Sequence, residues 1–244
     1  MKDYQFLFFD LDDTLLDFKA AEKWALPKLF AAHDFPLTPE VREVYHEING
    51  GLWASLEQGQ ITREELMATR FGKTFEHFGR TVNGLELDAE YRGYLAESKV
   101  FVEGAFEAIQ TLASTHELYI TSNGISETQN KRLQVTGLAP YFKQVFVSED
   151  TGYQKPMKPF FNYVFNHVPN FNPEKAMIIG DSYSADIIGG AGAGIDTCWL
   201  NPAKKAPTST VQPTYTIEKL AQLFTFVQHD KVKLQSVAVP LTDW

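Results

Sequence analysis

Five short runs of apolar residues constrain the fold of this chain more than any other feature of its sequence. Each run ends at a polar residue, and in chain order the runs read FLFF, ELYIT, QVFV, AMIIG and DTCWL. Continuous apolar runs of this length are typical of strands buried on both faces of a parallel sheet. Helical patterns alternate with the later runs, as in βαβ units. The sequence therefore predicts an α/β fold with a doubly wound parallel sheet.

The segment between the first two runs departs from this alternation. Residues 18–98 contain no convincing strand and show helical patterns such as FKAAEKWALPKLFAAH and TREELMATRFGKTFEHFG. This length exceeds an ordinary crossover connection. We therefore expect a helical cap at residues 18–98, inserted after the first strand, and a core made of residues 1–17 and 99–244. The alternative is that these helices pack on the sheet as extra layers.

The chain after the fifth run has weaker patterns. A loop that contains proline and lysine, NPAKKAPTSTVQP, precedes a last helix that we expect near residues 217–228. The tail, residues 230–244, alternates weakly between apolar and polar residues, and this pattern predicts an edge strand. The sequence does not indicate a role for the tail in function.

The composition limits the classes of partner and site. Hydrophobic residues make up 44% of 244, so a core of normal size is expected. The net charge of −9 argues against nucleic acid and an anionic membrane as partners, but not against a small anionic substrate. Cys198 is the only cysteine, which excludes a disulfide within the chain, and we expect it to pack in the core.

The sequence also predicts a cytoplasmic protein. The first apolar run reaches Asp10 too early for a signal peptide and lacks a basic region before it. No apolar segment approaches the roughly 20 residues that a membrane span needs. The sequence indicates no oligomeric state.

Polar side chains collect where the apolar runs end. The residues that follow the first, second and fourth runs include Asp10, Asp12, Asp13, Thr14, Ser122, Asn123, Asp181 and Asp186. A further motif, GYQKP, contributes Lys155 just before a helical pattern. In open α/β sheets, ligands bind beyond the carboxyl ends of the strands. We therefore expect these side chains to lie at one edge of the sheet.

This set of residue types predicts phosphoryl transfer. Several ionised carboxylates at one edge repel each other, and a divalent cation offsets that repulsion. Oxygen ligands favour Mg²⁺ over zinc, and a lysine beside a hydroxyl suits a bound phosphate. A carboxylate can itself be the nucleophile in such a reaction and form an aspartyl phosphate.

Four motifs carry a resemblance to a known family. DLDDT, TSN, YQKP and GDSYSAD occur in this order, each at a strand end or a helix start. They resemble the four motifs of the haloacid dehalogenase superfamily, and the resemblance covers nearly the whole chain, including the cap. It implies an α/β core with an inserted cap. It also implies Asp10 as the nucleophile, and Asp12 as the general acid and then the general base.

The resemblance implies how the substrate phosphate is bound. Ser122 would bind the phosphate through its hydroxyl, with the backbone N–H of Asn123 beside it. Lys155 would neutralise the charge of the nucleophile Asp10 and of the phosphate.

The resemblance also implies a Mg²⁺ site. Asp10, Asp181 and the backbone carbonyl of Asp12 would ligate the ion. Asp186 would orient a metal-bound water or the lysine of the third motif. Thr14 would orient Asp12 by a hydrogen bond.

One position favours a particular substrate class within this superfamily. The dehalogenase and phosphonatase branches lack an aspartate two residues after the nucleophile, and this chain has Asp12 there. The alkoxide leaving group of a phosphomonoester needs a proton, which such a residue can donate. The expected substrate is therefore a small phosphorylated metabolite.

The cap adds a finer resemblance. INGGLWASLEQGQIT with TRF, and NGISETQNKRLQVTGL with TCWLN outside the cap, are similar to pyrimidine 5′-nucleotidases of the house-cleaning type. This resemblance implies a nucleoside monophosphate as the substrate. Trp53 could stack on the base, because aromatic side chains bind bases in this way. Glu57 and Arg70 are further candidates for substrate contacts.

Other functions remain open from the sequence. Within the same superfamily, the alternative is a sugar-phosphate phosphatase or a phosphomutase. In a different class, the chain could be a phosphoacceptor domain or an inactive interaction module. A phosphoacceptor receiver domain is about half as long and has no cap, and all the expected catalytic residue types are present here.

Overall fold

The computed structural model describes residues 2–227 of the chain. Its six strands, in chain order, are β1 (Phe6–Phe9), β2 (Glu117–Ser122), β3 (Gln144–Val147), β4 (Ala176–Gly180), β5 (Asp196–Leu200) and β6 (Tyr215–Ile217). They form one sheet in the order β3-β2-β1-β4-β5-β6, and every neighbouring pair is parallel. The five apolar runs are β1 to β5, so the predicted parallel sheet is confirmed.

The helices fill the connections between the strands. The α-helices of the described residues are α1 (Phe18–Ala32), α2 (Pro39–Glu57), α3 (Arg63–His77), α4 (Gly84–Leu95), α5 (Ala105–Leu112), α6 (Ser126–Val135), α7 (Ser148–Thr151), α8 (Lys158–Asn166) and α9 (Gly189–Ala193). A π-helical turn, Tyr183–Ile188, leads directly into α9. Within residues 2–227, no helix is both long and apolar enough to cross a bilayer.

Alternate residues of the strands enter two different cores, because successive side chains point to opposite faces of a sheet. Phe8 of β1 packs in a cluster with Phe161 of α8. Phe9, the next residue, packs in the other cluster with Ile109 of α5. Cys198 of β5 is fully buried in this second cluster, which confirms its predicted place in the core. The sheet is therefore covered on both faces, as the doubly wound fold requires.

The helix expected near residues 217–228 is shorter than predicted and is a 3₁₀ segment, Leu220–Thr225. Before it, Tyr215–Ile217 forms β6, a strand that was not predicted and that pairs with β5. Leu220 and Leu223 are buried at a spacing of three residues, which suits a 3₁₀ turn and imitates a helical pattern. The edge strand predicted within residues 230–244 lies outside the described residues.

Five helices lie between β1 and β2 in the sequence, and the first four of them, α1 to α4, lie within residues 18–98. α1 packs on α4, α4 on α3, and α3 on α2. Their buried side chains, which include Phe30, Tyr45, Phe71 and Tyr91, form a core of their own. This core is distinct from the two clusters that cover the sheet.

Candidate active site

Asp10 is the first residue after β1, and the neighbouring strand fixes its position. Its backbone N–H donates to the carbonyl of Ile179 in β4 at 2.9 Å, which places Asp10 at the carboxyl edge of the sheet. Its side chain is buried and accepts two hydrogen bonds, from Nζ of Lys155 at 2.9 Å and from the hydroxyl of Thr14 at 3.1 Å. The carboxylate is thus held in one orientation at the sheet edge.

Thr14 does not form the hydrogen bond that was predicted for it. Its hydroxyl donates to Asp10 and not to Asp12, and it accepts from the backbone N–H of Asp181 at 3.1 Å. Thr14 is fully buried between the two strand ends. It therefore links the carboxylate after β1 to the loop after β4.

Lys155 is almost fully buried, and its ammonium group has three acceptors. Nζ donates to Asp10 at 2.9 Å, to Asp186 at 2.6 Å and to the carbonyl of Thr121 at 2.8 Å. Burial opposes the charged form, but the Asp10 and Asp186 carboxylates outweigh it and raise the pKa of the Lys155 ammonium above its usual value. The group therefore stays charged, and it brings β1, β2 and the segment after β4 together.

Asp186 occupies space that only a glycine at position 180 leaves free. Asp186 is fully buried, and its second carboxylate oxygen accepts from the backbone N–H of Ser182 at 3.1 Å. A Cβ on Gly180 would lie 2.0 Å from that oxygen. The glycine of the GDSYSAD motif is thus required for close approach, and it lets Asp186 reach the ammonium group of Lys155.

Three carboxylates form a cluster that could hold a metal ion. Asp10, Asp181 and Asp186 can each place one carboxylate oxygen within 4.8 Å of the others. Burial is the main cause that raises the pKa of Asp181 to about 7, and the charges of Asp186 and Asp13 add to it. Burial likewise raises the pKa of Asp10, with further increases from Asp186 and Asp181 and an opposing effect of Lys155.

These observations fit a hard divalent cation. The single positive charge of Lys155 does not offset all three carboxylates, since the pKa values of Asp10 and Asp181 are still raised, and the donors are all oxygen atoms. The predicted ligands Asp10 and Asp181 are brought together, and Asp186 joins them as a candidate that the sequence interpretation placed only in support.

The predicted phosphate-binding residues lie at the end of β2. The hydroxyl of Ser122 is buried and accepts from the backbone N–H of Gly124 at 3.1 Å. The side chain of Asn123 forms two hydrogen bonds with the backbone of Lys155, donating at 2.9 Å and accepting at 2.8 Å. Asn123 thus connects the second motif to the third.

Two residues of α6 that the sequence interpretation missed hold the side chain of Asp12. Nη1 of Arg132 donates to one carboxylate oxygen of Asp12, and Nε2 of Gln129 donates to the other at 2.6 Å. Both α6 residues are buried. The only signal in the sequence is spacing: Gln129, Arg132 and Leu133 stand at i, i+3 and i+4, the positions of one helical face, whereas their burial is visible only in the structure.

The acids Asp13 and Asp17 are turn and cap residues in the structure. Asp13 adopts a left-handed conformation, with φ of 56°, which aspartate tolerates better than most residues. Its carboxylate accepts from the backbone N–H groups of Phe18 and Lys19, and Asp17 accepts from Ala20 as the N-cap of α1.

A cavity of about 270 Å³ lies between the sheet edge and the four helices. Asp10, Asp12, Ser122, Asn123, Lys155 and Asp181 line it on the side of the sheet. Trp53, Glu57 and Arg70 line it on the side of the helices, so all three predicted cap residues reach the same cavity. Its size is close to that of a small-molecule site.

Glu57 and Arg70 each have a partner in the protein. Glu57 accepts from the hydroxyl of Ser184 at 2.9 Å, and burial raises the pKa of its carboxyl despite this hydrogen bond. Arg70 is buried and pairs with Asp88, with Nε at 2.7 Å and Nη2 at 2.5 Å from one oxygen. Arg92 pairs with the other oxygen of Asp88 at 2.7 Å, and both arginines line the cavity.

Further contacts join the helices to the sheet edge, and the sequence patterns did not predict them. Nη2 of Arg63, at the start of α3, donates to the carbonyl of Asn123 at 3.1 Å and to Ser148. Nε2 of Gln154 donates to the carbonyl of Leu56 at 2.6 Å. With the hydrogen bond of Glu57, these contacts cluster around the end of α2 and the start of α3.

Comparisons with known proteins agree with this geometry. The chain is 49% identical over 224 residues to the HAD-hydrolase YfnB of Bacillus subtilis, covering 92% of this chain and 95% of YfnB. It is 41% identical to the pyrimidine 5′-nucleotidase PynA of Streptococcus pneumoniae, covering 88% and 91% of the two chains. It is 30% identical to the pyrimidine 5′-nucleotidase YjjG of Escherichia coli, covering 90% and 96%.

The fold has a similar counterpart among solved structures. The crystal structure of YfnB from Bacillus subtilis bound to magnesium matches with a TM-score of 0.88 and 48% identity, covering 93% of this chain and all of that chain. The family model for haloacid dehalogenase-like hydrolases matches residues 7–200, which include β1 except for Phe6, the strands β2 to β5 and all four motifs. By family, fold and motif order, the chain belongs to the haloacid dehalogenase-like hydrolases.

Proposed function

We propose that this protein is a Mg²⁺-dependent phosphomonoester hydrolase that acts on nucleoside 5′-monophosphates through a phosphorylated Asp10. One observation carries the proposal. A buried carboxylate, Asp10, is bonded to the buried ammonium of Lys155 and faces a cavity that a second acid, Asp12, also lines. This arrangement supplies a nucleophile, a charge that stabilises phosphoryl transfer, and a proton donor for the leaving group.

The first step forms the aspartyl phosphate. An oxygen of Asp10 attacks phosphorus, and the bond from phosphorus to the leaving oxygen breaks. The electron pair of that bond stays on the leaving oxygen, which takes a proton from the carboxyl group of Asp12. The nucleoside is then free, and the phosphoryl group is bound to Asp10. The hydrogen bonds from Lys155 and Thr14 hold Asp10 for this attack.

The second step releases phosphate. Water transfers a proton to the carboxylate of Asp12 as its oxygen attacks phosphorus. The bond from phosphorus to Asp10 breaks, and its electron pair returns to the carboxylate. Inorganic phosphate leaves, Asp10 is again ionised and Asp12 is again protonated. Each proton that Asp12 gives up in the first step is therefore recovered in the second.

Three groups bind the substrate phosphate in this proposal. The hydroxyl of Ser122 and the backbone N–H of Asn123 supply hydrogen bonds at the end of β2, and Lys155 supplies positive charge. Ser122 and Lys155 are both buried, so their positions are fixed before substrate binds. Groups that are fixed in advance need no reorganisation during the reaction.

Asp10, Asp181 and the backbone carbonyl of Asp12 would hold Mg²⁺, with Asp186 as a further candidate. Mg²⁺, when bound, supplies positive charge that offsets these carboxylates and the charge of the transferred phosphoryl group. The oxygen donors and the raised pKa of Asp181 support this assignment.

The four helices at residues 18–98 form the cap in this proposal. Trp53, Glu57 and Arg70 bring aromatic, acidic and basic groups to the cavity, and we assign them to recognition of the nucleoside. The names of PynA and YjjG, pyrimidine 5′-nucleotidases, support this substrate class. Closure of the cap over the sheet edge would exclude water during the first step.

A substrate screen tests the proposal. The purified protein is assayed with nucleoside monophosphates and with sugar phosphates, and kcat/KM is measured for each substrate with Mg²⁺ and after chelation. We expect at least about a tenfold preference for nucleoside monophosphates, because contacts to a base add roughly 1–3 kcal/mol. We also expect activity to be lost with the chelator and recovered when Mg²⁺ is added back.

Each part of the proposal has its own contrary result. A wide preference for sugar phosphates would exclude the nucleotide substrate class and leave the phosphatase. Unchanged activity in the presence of the chelator would exclude the metal. No turnover of any phosphate ester would favour a module that does not catalyse.

A further inference from the structure

We propose that Gln129 and Arg132 of α6 are positioning residues for Asp12, which hold its carboxyl group where it meets the leaving group. This inference rests on the proposed function, because it assigns a task to Asp12 in the first step. It concerns residues outside the four motifs, at a distance of 117 and 120 positions from Asp12 in the sequence.

Arg132 is a buried, charged residue that pairs with one carboxylate. Its side chain is 1% exposed, and Nη1 donates to Asp12. Its guanidinium lies 5.9 Å from the ring of Phe18, and both residues line the cavity. A buried cation is costly unless it is paired. The pairing with Asp12 therefore explains why an arginine is tolerated on the inner face of α6.

Gln129 connects Asp12 to the proposed phosphate-binding hydroxyl. Nε2 donates to Asp12 at 2.6 Å and to the hydroxyl of Ser122 at 2.9 Å. Oε1 accepts from Nη1 of Arg132 at 3.0 Å. Both N–H groups of the amide are thus used, and so is its oxygen. The reverse orientation of the amide would turn its oxygen towards Asp12 and its N–H groups towards Arg132, which has no acceptor, so these partners fix the side chain.

Separate sets of partners hold the two carboxyl groups that take part in the first step. Lys155 and Thr14 occupy the two oxygens of Asp10. Arg132 and Gln129 occupy the two oxygens of Asp12. Asp10 is thereby fixed from the strand ends and Asp12 from α6. A proton donor that is misplaced by about 1 Å can lose on the order of 10²-fold in rate, so this second set of contacts has a catalytic consequence.

A purely structural role is the competing explanation, since loss of a buried ion pair also destabilises a fold. The two explanations differ in their dependence on the leaving group. A nucleoside needs a proton when it leaves, whereas p-nitrophenolate leaves readily without one. Loss of positioning should therefore affect the two kinds of substrate unequally, and a general loss of structure should affect them alike.

The test compares kcat/KM of Arg132→Gln and Gln129→Met for uridine 5′-monophosphate and p-nitrophenyl phosphate. This ratio reports the steps up to departure of the leaving group. We expect losses of about 10–100-fold with the nucleotide, in line with the loss of a positioned acid, and for Arg132→Gln of less than about threefold with p-nitrophenyl phosphate. Gln129→Met also removes a hydrogen bond to Ser122, so its loss with p-nitrophenyl phosphate should be larger, but still well below its loss with the nucleotide. Arg132→Lys should recover part of the activity towards the nucleotide, because it restores the charge.

Two control variants separate the possible failures. Asp12→Asn should show the same unequal loss; if it does not, the proposed role of Asp12 is wrong. Lys131→Gln removes an exposed charge from the neighbouring position of α6 and should change neither substrate. Thermal unfolding of each variant shows whether it is folded, and Gln129→Met carries the test if Arg132→Gln does not fold. Equal losses with both substrates, or no loss with either, would overturn the inference.

Discussion

The two walls of the cavity are built in different ways. On the wall of the sheet, charged groups from distant parts of the chain pair with one another: Lys155 with Asp10 and Asp186, and Arg132 with Asp12. On the wall of the helices, the buried charges pair mostly within the helices. Asp88 binds Arg70 and Arg92, and the carboxylate of Glu22 accepts from the hydroxyls of Tyr45 and Tyr91.

Under the proposed function, this difference separates the residues that carry out the chemistry from those that recognise the substrate. Any change at the sheet edge alters a network in which each group orients another. A change in the helices alters the surface that lines the cavity, and the contacts that support this surface lie within the helices themselves. The sheet wall should therefore tolerate little variation without loss of turnover, whereas the helical wall should be able to change its substrate and keep its chemistry.

The largest effect is expected from Asp10→Asn. The amide has nearly the same shape but is not a nucleophile, so no phosphorylated intermediate can form. We expect kcat to fall by about 10⁴-fold or more, the range typical of a lost nucleophile. Steady-state rates with saturating Mg²⁺ measure this. Circular dichroism should show a folded protein, and trapping experiments should find no phosphoprotein. A variant with full activity would remove Asp10 from the chemistry.

A pair of glycine variants compares the two walls directly. The Cβ of Gly180→Ala would lie 2.0 Å from an Asp186 oxygen, and that of Gly84→Ala would lie 1.9 Å from the carbonyl of Ala68. We expect each to lower the free energy of unfolding by about 1–3 kcal/mol through overpacking. Gly180→Ala should also lower kcat by roughly 10²-fold, because it displaces Asp186 from Lys155.

The control for this pair is Gly192→Ala in α9, where an added Cβ meets nothing within 4 Å. It should leave activity unchanged and stabilise slightly, since alanine is the better helix former. Denaturant titration measures the stability of each variant, and p-nitrophenyl phosphate is the substrate with which its turnover is measured. If Gly84→Ala reduced kcat as strongly as Gly180→Ala, the proposed division, with chemistry at the sheet wall and recognition at the helical wall, would be contradicted.

Much of the fold followed from the sequence because the signals were local. The strands β1, β2, β4 and β5 are buried along nearly their whole length, and β3 is buried over its last two residues. Each is therefore a largely apolar run that can be recognised without knowing which strand pairs with it. β6 was missed because a strand of three residues at the sheet edge has too short a pattern. Its pairing with β5 forms only in the folded chain, and the leucines beyond it imitate a helix.

The site was predicted unevenly for a related reason. The motif residues Asp10 and Ser122 could be placed because they lie at strand ends, which meet at one edge of the sheet, and Lys155 because its motif precedes a helical pattern. Their hydrogen-bond partners could not, since side-chain contacts depend on packing. The bond of Thr14 to Asp10 and the support of Asp12 from α6 are of this kind.

The pH dependence of stability tests the charge of the sheet wall. The pKa of Asp181 is raised from 3.8 to about 7 in the folded state, mainly by burial. Between these two values the folded protein binds more protons than the unfolded one, so its stability falls as pH rises. We expect Tm of the metal-free protein to fall by several degrees between about pH 5 and pH 7.5.

Mg²⁺ should raise Tm most at the upper end of this range, where the carboxylates are ionised and bind the cation. Asp181→Asn should flatten the metal-free profile and reduce the response to Mg²⁺. Differential scanning calorimetry measures both. A metal-free Tm that rises over this range would mean that the cluster is not short of positive charge.

The smallest effect is expected from Trp53→Ala in the helical wall. If Trp53 stacks on the base, its loss should raise KM for uridine 5′-monophosphate by about 5–10-fold, equivalent to roughly 1 kcal/mol, with little change in kcat. Ribose 5-phosphate has a sugar and a phosphate but no base, so its KM should change far less. Trp53→Phe keeps an aromatic ring and should recover most of the affinity.

The matched control is Trp24→Ala, which removes a 40% exposed tryptophan of α1 that does not line the cavity. It should alter neither substrate. Equal increases in KM for the nucleotide and for ribose 5-phosphate would show that Trp53 shapes the cavity but does not stack on the base. A large fall in kcat for Trp53→Ala would contradict the proposed division of roles between the two walls. It would mean that the helical wall helps to align the phosphate, so that recognition and chemistry share residues across the cavity.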